Sequence, residues 1–225
     1  MRKLISYSID KNAPGWPGNP SYEAQNYSSI EKGDSANTYI LHLFNHFGTH
    51  MDAPNHFNDK GARMHTFPID TFIYERPLLL DIPKGAGEKV TPADLIPYAD
   101  RIAASDLLLI RTGFEPMRAE DPKLYSENGP AVSCEAAKYL MEHFAGKLKA
   151  LAMDFISLAS PADPADGNEA HRWMCGCYSE GNIFIIEDVK MSEILADKLQ
   201  SAAAVPLFLT EVDSSPVTMW VEEEE

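Results

Sequence analysis

The run HFGTHMDAPNH, residues 46–56, places His46, His50, Asp52 and His56 within eleven residues and builds Gly48 and Pro54 into the same stretch. Imidazole nitrogen and carboxylate oxygen are donors that zinc and other borderline divalent ions accept, and a carboxylate has a second oxygen with which to bridge two ions. An ion held by such donors makes water nucleophilic at neutral pH and polarises a carbonyl, so the chemistry indicated is hydrolysis of an amide, ester or lactam. One histidine in a polar loop would be an ordinary backbone cap. Three histidines with an aspartate point to a metal centre, although the spacing matches neither H-x-H-x-D-H nor the H-E-x-x-H of zincins.

Something must bring these side chains together. Alternation in TYILHLFNH predicts a strand with Ile40, His42, Phe44 and His46 on one face and His46 at its end. Gly48 permits a tight turn and Pro54 stops any helical continuation, so His50, Asp52 and His56 are expected on a compact loop. Further strands are predicted over residues 3–9, 76–82, 106–112, 148–154, 182–188 and 204–210, several of them apolar throughout, as in strands buried on both faces. Thr91 before Pro92 signals one helix start, and Ser133 caps another whose apolar stripe is Ala136, Ala137, Leu140, Met141 and Phe144. A third helix is expected from about Ser192, and the closing EEEE as a solvated, frayed tail. The pattern predicts an α/β fold with a buried mixed sheet and packed helices, in a single domain over residues 1–225.

Composition excludes several classes of function. With 34 acidic against 19 basic residues and a formal charge of −15, the chain repels nucleic acid and anionic membranes, leaving a small molecule as the expected partner. Neither a secretory signal pattern nor a bilayer-spanning apolar run is evident. The three cysteines, Cys134, Cys175 and Cys177, include no C-x-x-C pair, and a cytoplasmic location is expected. Cys175 lies four residues after His171, where it could be a soft ligand or a buried thiol. Arg111 and Thr112, at a predicted strand end, could orient a substrate or another loop.

The run fits H-x-G-T-H-x-D-x-P-x-H, and on it the chain resembles the cyclase-type metal-dependent hydrolases, whose known members include bacterial kynurenine formamidases. WPGNP at 16–20, LLIRTGF at 108–114, MDFIS at 153–157, His171, GNIFIIE at 181–187 and VDSSPV at 212–217 match the family's landmarks in order. The resemblance implies a swivelling β/β/α domain, usually assembled as a homodimer or homotetramer, with two divalent ions per subunit, zinc first and manganese as the alternative. His46, His50 and Asp52 match the ligands of one ion, with Asp52 bridging to the other. His171 matches a histidine on the second ion, Glu187 a carboxylate on both, His56 the proton carrier and Trp16 an aromatic wall of the substrate pocket. Glu180 and Glu169 rival Glu187, because RWMCGCYSEGN at 172–182 is longer than the family segment and DVKM follows Glu187. The implied activity is hydrolysis of small aromatic amides, N-formylkynurenine first. The alternatives are hydrolysis of a cyclic amide, ester or lactone, and a noncatalytic metal-binding module.

Overall fold

The computed structural model describes residues 1–224. Its strands are β1 (Arg2–Leu4), β2 (Glu23–Ser28), β3 (Thr38–His42), β4 (His50–Asp52), β5 (Ile73–Tyr74), β6 (Pro77–Asp81), β7 (Lys89–Val90), β8 (Leu107–Arg111), β9 (Ala131–Val132), β10 (Ala150–Met153), β11 (Phe184–Glu187), β12 (Leu199–Pro206) and β13 (Ser214–Glu223). The helices are α1 (Pro92–Leu95), α2 (Ala99–Ala103), α3 (Met117–Glu120), α4 (Pro122–Asn128), α5 (Cys134–Phe144) and α6 (Pro164–Met174).

Nine strands form one mixed sheet in the order β5-β12-β13-β4-β11-β10-β8-β6, with β1 also on β13. Parallel pairing joins β6, β8, β10 and β11, whereas β4 runs antiparallel between β11 and β13. The parallel strands are apolar, apart from Asp81, Arg111 and Glu187 at their C-terminal ends, because both faces are covered. Leu108, Ile110, Leu151, Met153 and Ile185 pack into a cluster with the buried faces of α5 and α6. The alternate residues Leu107, Leu109, Ala150, Ala152 and Ile186 join Ala204, Met219 and Val221 of β12 and β13 on the other side. This is the α/β architecture expected from the sequence.

Two of the three predicted helix starts hold. Thr91 and Asp94 form a reciprocal capping box around Pro92, and Ser133 accepts a hydrogen bond from the Ala136 amide. The five predicted stripe residues of α5 are all buried.

Other expectations need correction. β3 stops at His42 and pairs only with β2, in a hairpin whose residues are almost all exposed, so His46 lies in the following turn. The alternation in TYILHLFNH is therefore that of an exposed arm. His50 and Asp52 sit on β4, a sheet strand, rather than on a loop. Three residues are too few for a periodicity signal, and pairing on both sides makes them a strand. No helix starts at Ser192: the Ser192 amide and hydroxyl bond to Glu115, and the chain turns directly into β12. That strand ends at Pro206, earlier than predicted. The terminal acidic run is not frayed through Glu223, which is buried in β13, paired with Lys3 at 2.7 Å and bonded to the Leu195 amide. Glu225 lies outside the described residues.

Of the helices absent from the sequence reading, α6 bears on the site. Gly167 lets it approach the segment after β10 so closely that a Cβ there would lie 2.8 Å from the Ala159 Cα. Gly167→Ala is expected to cost about 1–3 kcal/mol through overpacking, as a lowered urea midpoint. It should also weaken metal uptake, because α6 carries His171. Unchanged stability would show that the helix can shift freely. No helix among the described residues is long and apolar enough to cross a membrane.

Candidate metal centre

Strand register brings the first donors together. On β4, His50 lies opposite Glu187 of β11, and Asp52 lies opposite Ser214 of β13. Residues two apart on a strand share a face, so His50 and Asp52 point the same way beside Glu187. α6 adds His171, whose Nε2 lies 3.6 Å from Glu187 Oε1 and 4.0 Å from Asp52 Oδ2. The turn after β3 adds His46, with Nδ1 at 3.0 Å from Asp52 Oδ1. All six predicted polar site residues thus converge, and Glu180 and Glu169 do not belong to either donor cluster described below.

Each ring is held by its other nitrogen. His50 Nδ1 lies 2.9 Å from the Gly48 carbonyl oxygen, and His171 Nδ1 lies 2.8 Å from that of Gly167. Carbonyl oxygens only accept, so both histidines carry a proton on Nδ1, and Nε2 is the nitrogen turned toward the carboxylates. Glu187 is fixed by the Ser157 hydroxyl at 2.8 Å and the Leu158 amide at 2.7 Å, both on Oε1. The next residue, Asp188, adopts a left-handed backbone at φ 55°, uncommon for a non-glycine residue. Arg118 clamps its carboxylate with two 2.8 Å bonds and the Tyr125 hydroxyl adds a third, so the end of β11 is rigid.

His50 Nε2 and Asp52 Oδ2 are buried without hydrogen-bond partners among the described residues, and Asp52 Oδ1 has only His46 Nδ1, at 3.0 Å. Such groups cost about 1–3 kcal/mol each when left unsatisfied, and a divalent cation satisfies all of them at once. Two donor clusters meet at Asp52: His50, Asp52 and Glu187 on one side, His46, Asp52 and His56 on the other. The residues therefore fit a divalent ion, and Asp52 belongs to both clusters.

Burial opposes ionisation of Asp52 and Glu187, but the surrounding imidazoles hold both carboxyls below their usual range. Burial likewise disfavours charge on His46, yet Asp52 and Asp213 raise its pKa to about 10. That value lies above the ~6.5 of an unfolded chain, so in chelated protein this contribution to stability is full below about pH 6.5 and disappears as pH rises through about 10. A divalent ion bound by His46 would have to displace that proton. Calorimetric titration at neutral pH, in buffers of different ionisation enthalpy, is expected to show release of roughly one proton per chain, with affinity rising with pH. Uptake without proton release would contradict the assignment of His46.

Above these donors opens a cavity of about 310 Å³ lined by Trp16, Phe44, Phe57, Ile156 and Asn168 together with the site histidines. Trp16 is thus on the wall. Phe57 stacks on His171 with ring centroids 4.7 Å apart. Cys175 is a buried thiol near the Ala53 carbonyl oxygen, outside the donor clusters. Arg111 pairs with Asp81 and binds the carbonyl oxygens of Met191 and Ile194, and Thr112 binds Asp154, so both orient loops rather than facing the cavity.

Asp213 is the residue the sequence reading missed. Its Oδ2 lies 2.6 Å from His56 Nδ1 and 2.9 Å from His46 Nε2. The acid in VDSSPV was visible, but no spacing connects it to residues 46–56, more than 150 positions earlier.

The family model for the putative cyclases matches residues 4–160. The chain belongs to the cyclase family. Among its relatives, this cyclase-family protein is 39% identical to an uncharacterised protein of Haemophilus influenzae over 48% of this chain and 75% of that one. It is 28% identical to a kynurenine formamidase of Bacillus cereus over 95% of this chain and 93% of the relative. In structure, it superposes on isatin hydrolase A of Labrenzia aggregata with a TM-score of 0.83 at 16% identity, covering 100% of this chain and 94% of that one. At that identity the likeness is one of fold.

Proposed function

We propose that the protein is a metal-dependent hydrolase of small aromatic amides, with N-formylkynurenine the first substrate to test. The observation that carries this reading is the set of buried donors around Asp52, with His50 Nε2 and Asp52 Oδ2 lacking a partner among the described residues, gathered at the base of a cavity with aromatic walls. His46, His50, Asp52, His171 and Glu187 would hold one or two divalent ions, and the His and carboxylate set accepts zinc or manganese. Bound there, the metal would supply Lewis acidity, activating water and polarising a carbonyl.

The chain's own residues do the rest. Trp16, Phe44 and Phe57 offer ring faces and edges against which a flat substrate packs, fixing its carbonyl over the donor cluster. Glu187 and Asp188 are locked by the bonds described above, so the donors keep their positions when substrate enters. His56 stands at the cavity edge with Nδ1 engaged by Asp213 and Nε2 without a hydrogen-bond partner among the described residues. It is placed to take a proton from the attacking water and return it to the leaving nitrogen.

One observation favours a second substrate. Among the described residues lining the cavity none is Lys or Arg, so no cation awaits the α-carboxylate of an amino-acid substrate. A neutral cyclic amide, ester or lactone of the isatin type suits such walls. Comparing kcat/KM for N-formylkynurenine, a neutral N-formyl aromatic amine and isatin tests both readings. Hydrolysis of an amide ahead of the ring substrate supports the first, and the reverse order supports the second. Bound metal with no turnover on any of them would leave a noncatalytic module.

Trp16→Ala is expected to raise KM for aromatic substrates roughly tenfold, about 1.4 kcal/mol, while kcat and metal content stay close to wild type. An unchanged KM in folded protein would make Trp16 a surface-packing residue only.

A further inference from the structure

We infer that Asp213 is a positioning residue that keeps the proton of His56 on Nδ1 and so presents a bare Nε2 to the cavity. The inference concerns the ring state of His56, and its consequence for turnover rests on the hydrolase reading above. Asp213 immediately precedes β13, and its backbone carbonyl accepts a 2.9 Å bond from the Ala53 amide at the end of β4. The side chain is held too: Asn45 Nδ2 donates to Oδ1 at 2.7 Å and also to the Ser214 hydroxyl at 2.7 Å. That leaves Oδ2 aimed at two rings, His56 at 2.6 Å and His46 at 2.9 Å.

A carboxylate only accepts, so each nitrogen facing Oδ2 is an N–H. For His46 this holds a proton on Nε2, so that a metal displacing the second proton would find Nδ1, which faces Asp52 at 3.0 Å. For His56 the same logic leaves Nε2 with its lone pair exposed. The rings of His46 and His56 lie 4.2 Å apart, so one carboxylate orients a metal-facing histidine and its neighbouring acid/base group together. A neutral imidazole has two tautomers, and only one can accept a proton at Nε2. Among the described residues no other group bonds to His56 Nδ1 and retains the Nδ1–H form. The other tautomer would point an N–H at the attacking water and could not act as its base.

The test has two readings on zinc-loaded protein. The first is long-range ¹H–¹⁵N NMR of the imidazoles at about pH 8, above the ~6.5 reference value for histidine, with His56 assigned from the spectrum of His56→Asn. Wild type should show His56 as Nδ1–H with an unprotonated Nε2, and in Asp213→Ala the Nε2–H form should replace it. The second reading is kinetic, at saturating zinc. Asp213→Ala should lower kcat roughly 10²- to 10³-fold with KM within about twofold. A wild-type His56 that is Nε2–H, or a tautomer unchanged in Asp213→Ala, would overturn the inference. So would a loss confined to KM or to zinc occupancy. If wild type turned over no amide or lactone, the hydrolase reading would fail and the NMR result would still decide the role of Asp213.

Discussion

Replacing Asp52 with alanine is expected to empty the metal centre and lower turnover by at least roughly 10³-fold, more than the 10- to 100-fold typical of a residue that only supports a ligand. Asp52 is the carboxylate shared by both donor clusters, with His46 at 3.0 Å, His50 at 3.6 Å and His171 at 4.0 Å. Its removal takes a donor from each cluster and leaves the imidazoles facing one another without their central anion. The effect extends to the fold. Because the Asp52 carboxyl is held below its usual range, its stabilising contribution is present above the unfolded value and is lost as pH falls through the lower folded value. At neutral pH the chelated variant should therefore unfold more easily than chelated wild type, by about 3 kcal/mol if it behaves like other broken buried ion pairs. Elemental analysis, turnover and urea unfolding check the three statements. A variant that kept two tightly bound ions per chain would refute the bridging role.

The second large effect belongs to His56, the histidine at the rim of the cluster. His56→Asn should lower kcat by roughly 10²- to 10⁴-fold, the range for a positioned acid/base group, while metal content and KM remain near wild type. His46→Asn or His50→Asn should instead cost occupancy, because a lost imidazole opens the coordination shell. The geometry makes this contrast informative: a nitrogen of His56 lies close enough to His46 and Asp52 for the three to form a donor group. Loss of metal together with activity in His56→Asn would make it a ligand, and near-normal kcat at full occupancy would remove it from the chemistry.

The chemistry was legible in the sequence to the extent that it is local. His46, His50, Asp52 and His56 are close in the chain and meet in space, and an apolar run ending in Glu187 marked a buried strand with a carboxylate at its end. The capping pairs at Thr91 and Ser133 and the stripe of α5 were readable for the same reason. What escaped depends on contacts between distant segments. β4 is three residues long and is a strand only because β11 and β13 flank it. α6 carries PADGNEAHRWM, a polar sequence with a glycine inside it, and is ordered by Asp163 at its N-cap and by close packing on Ala159. Asp213 acquires a role only when β13 brings it against the run at 46–56. The exposed hairpin of β2 and β3 misled in the opposite direction, since its alternation mimics a half-buried strand.

The central claim, that the converging donors make a metal-dependent hydrolase, is tested most directly by turnover of N-formylkynurenine and isatin before chelation, after chelation, and after titration with zinc or manganese. The account predicts that activity falls to background as metal is removed and returns in proportion to the ion taken up, reaching its maximum by two ions per chain. Full turnover by protein stripped of metal would contradict it, as would stoichiometric metal uptake with no hydrolysis of either substrate or of an ester and lactone panel.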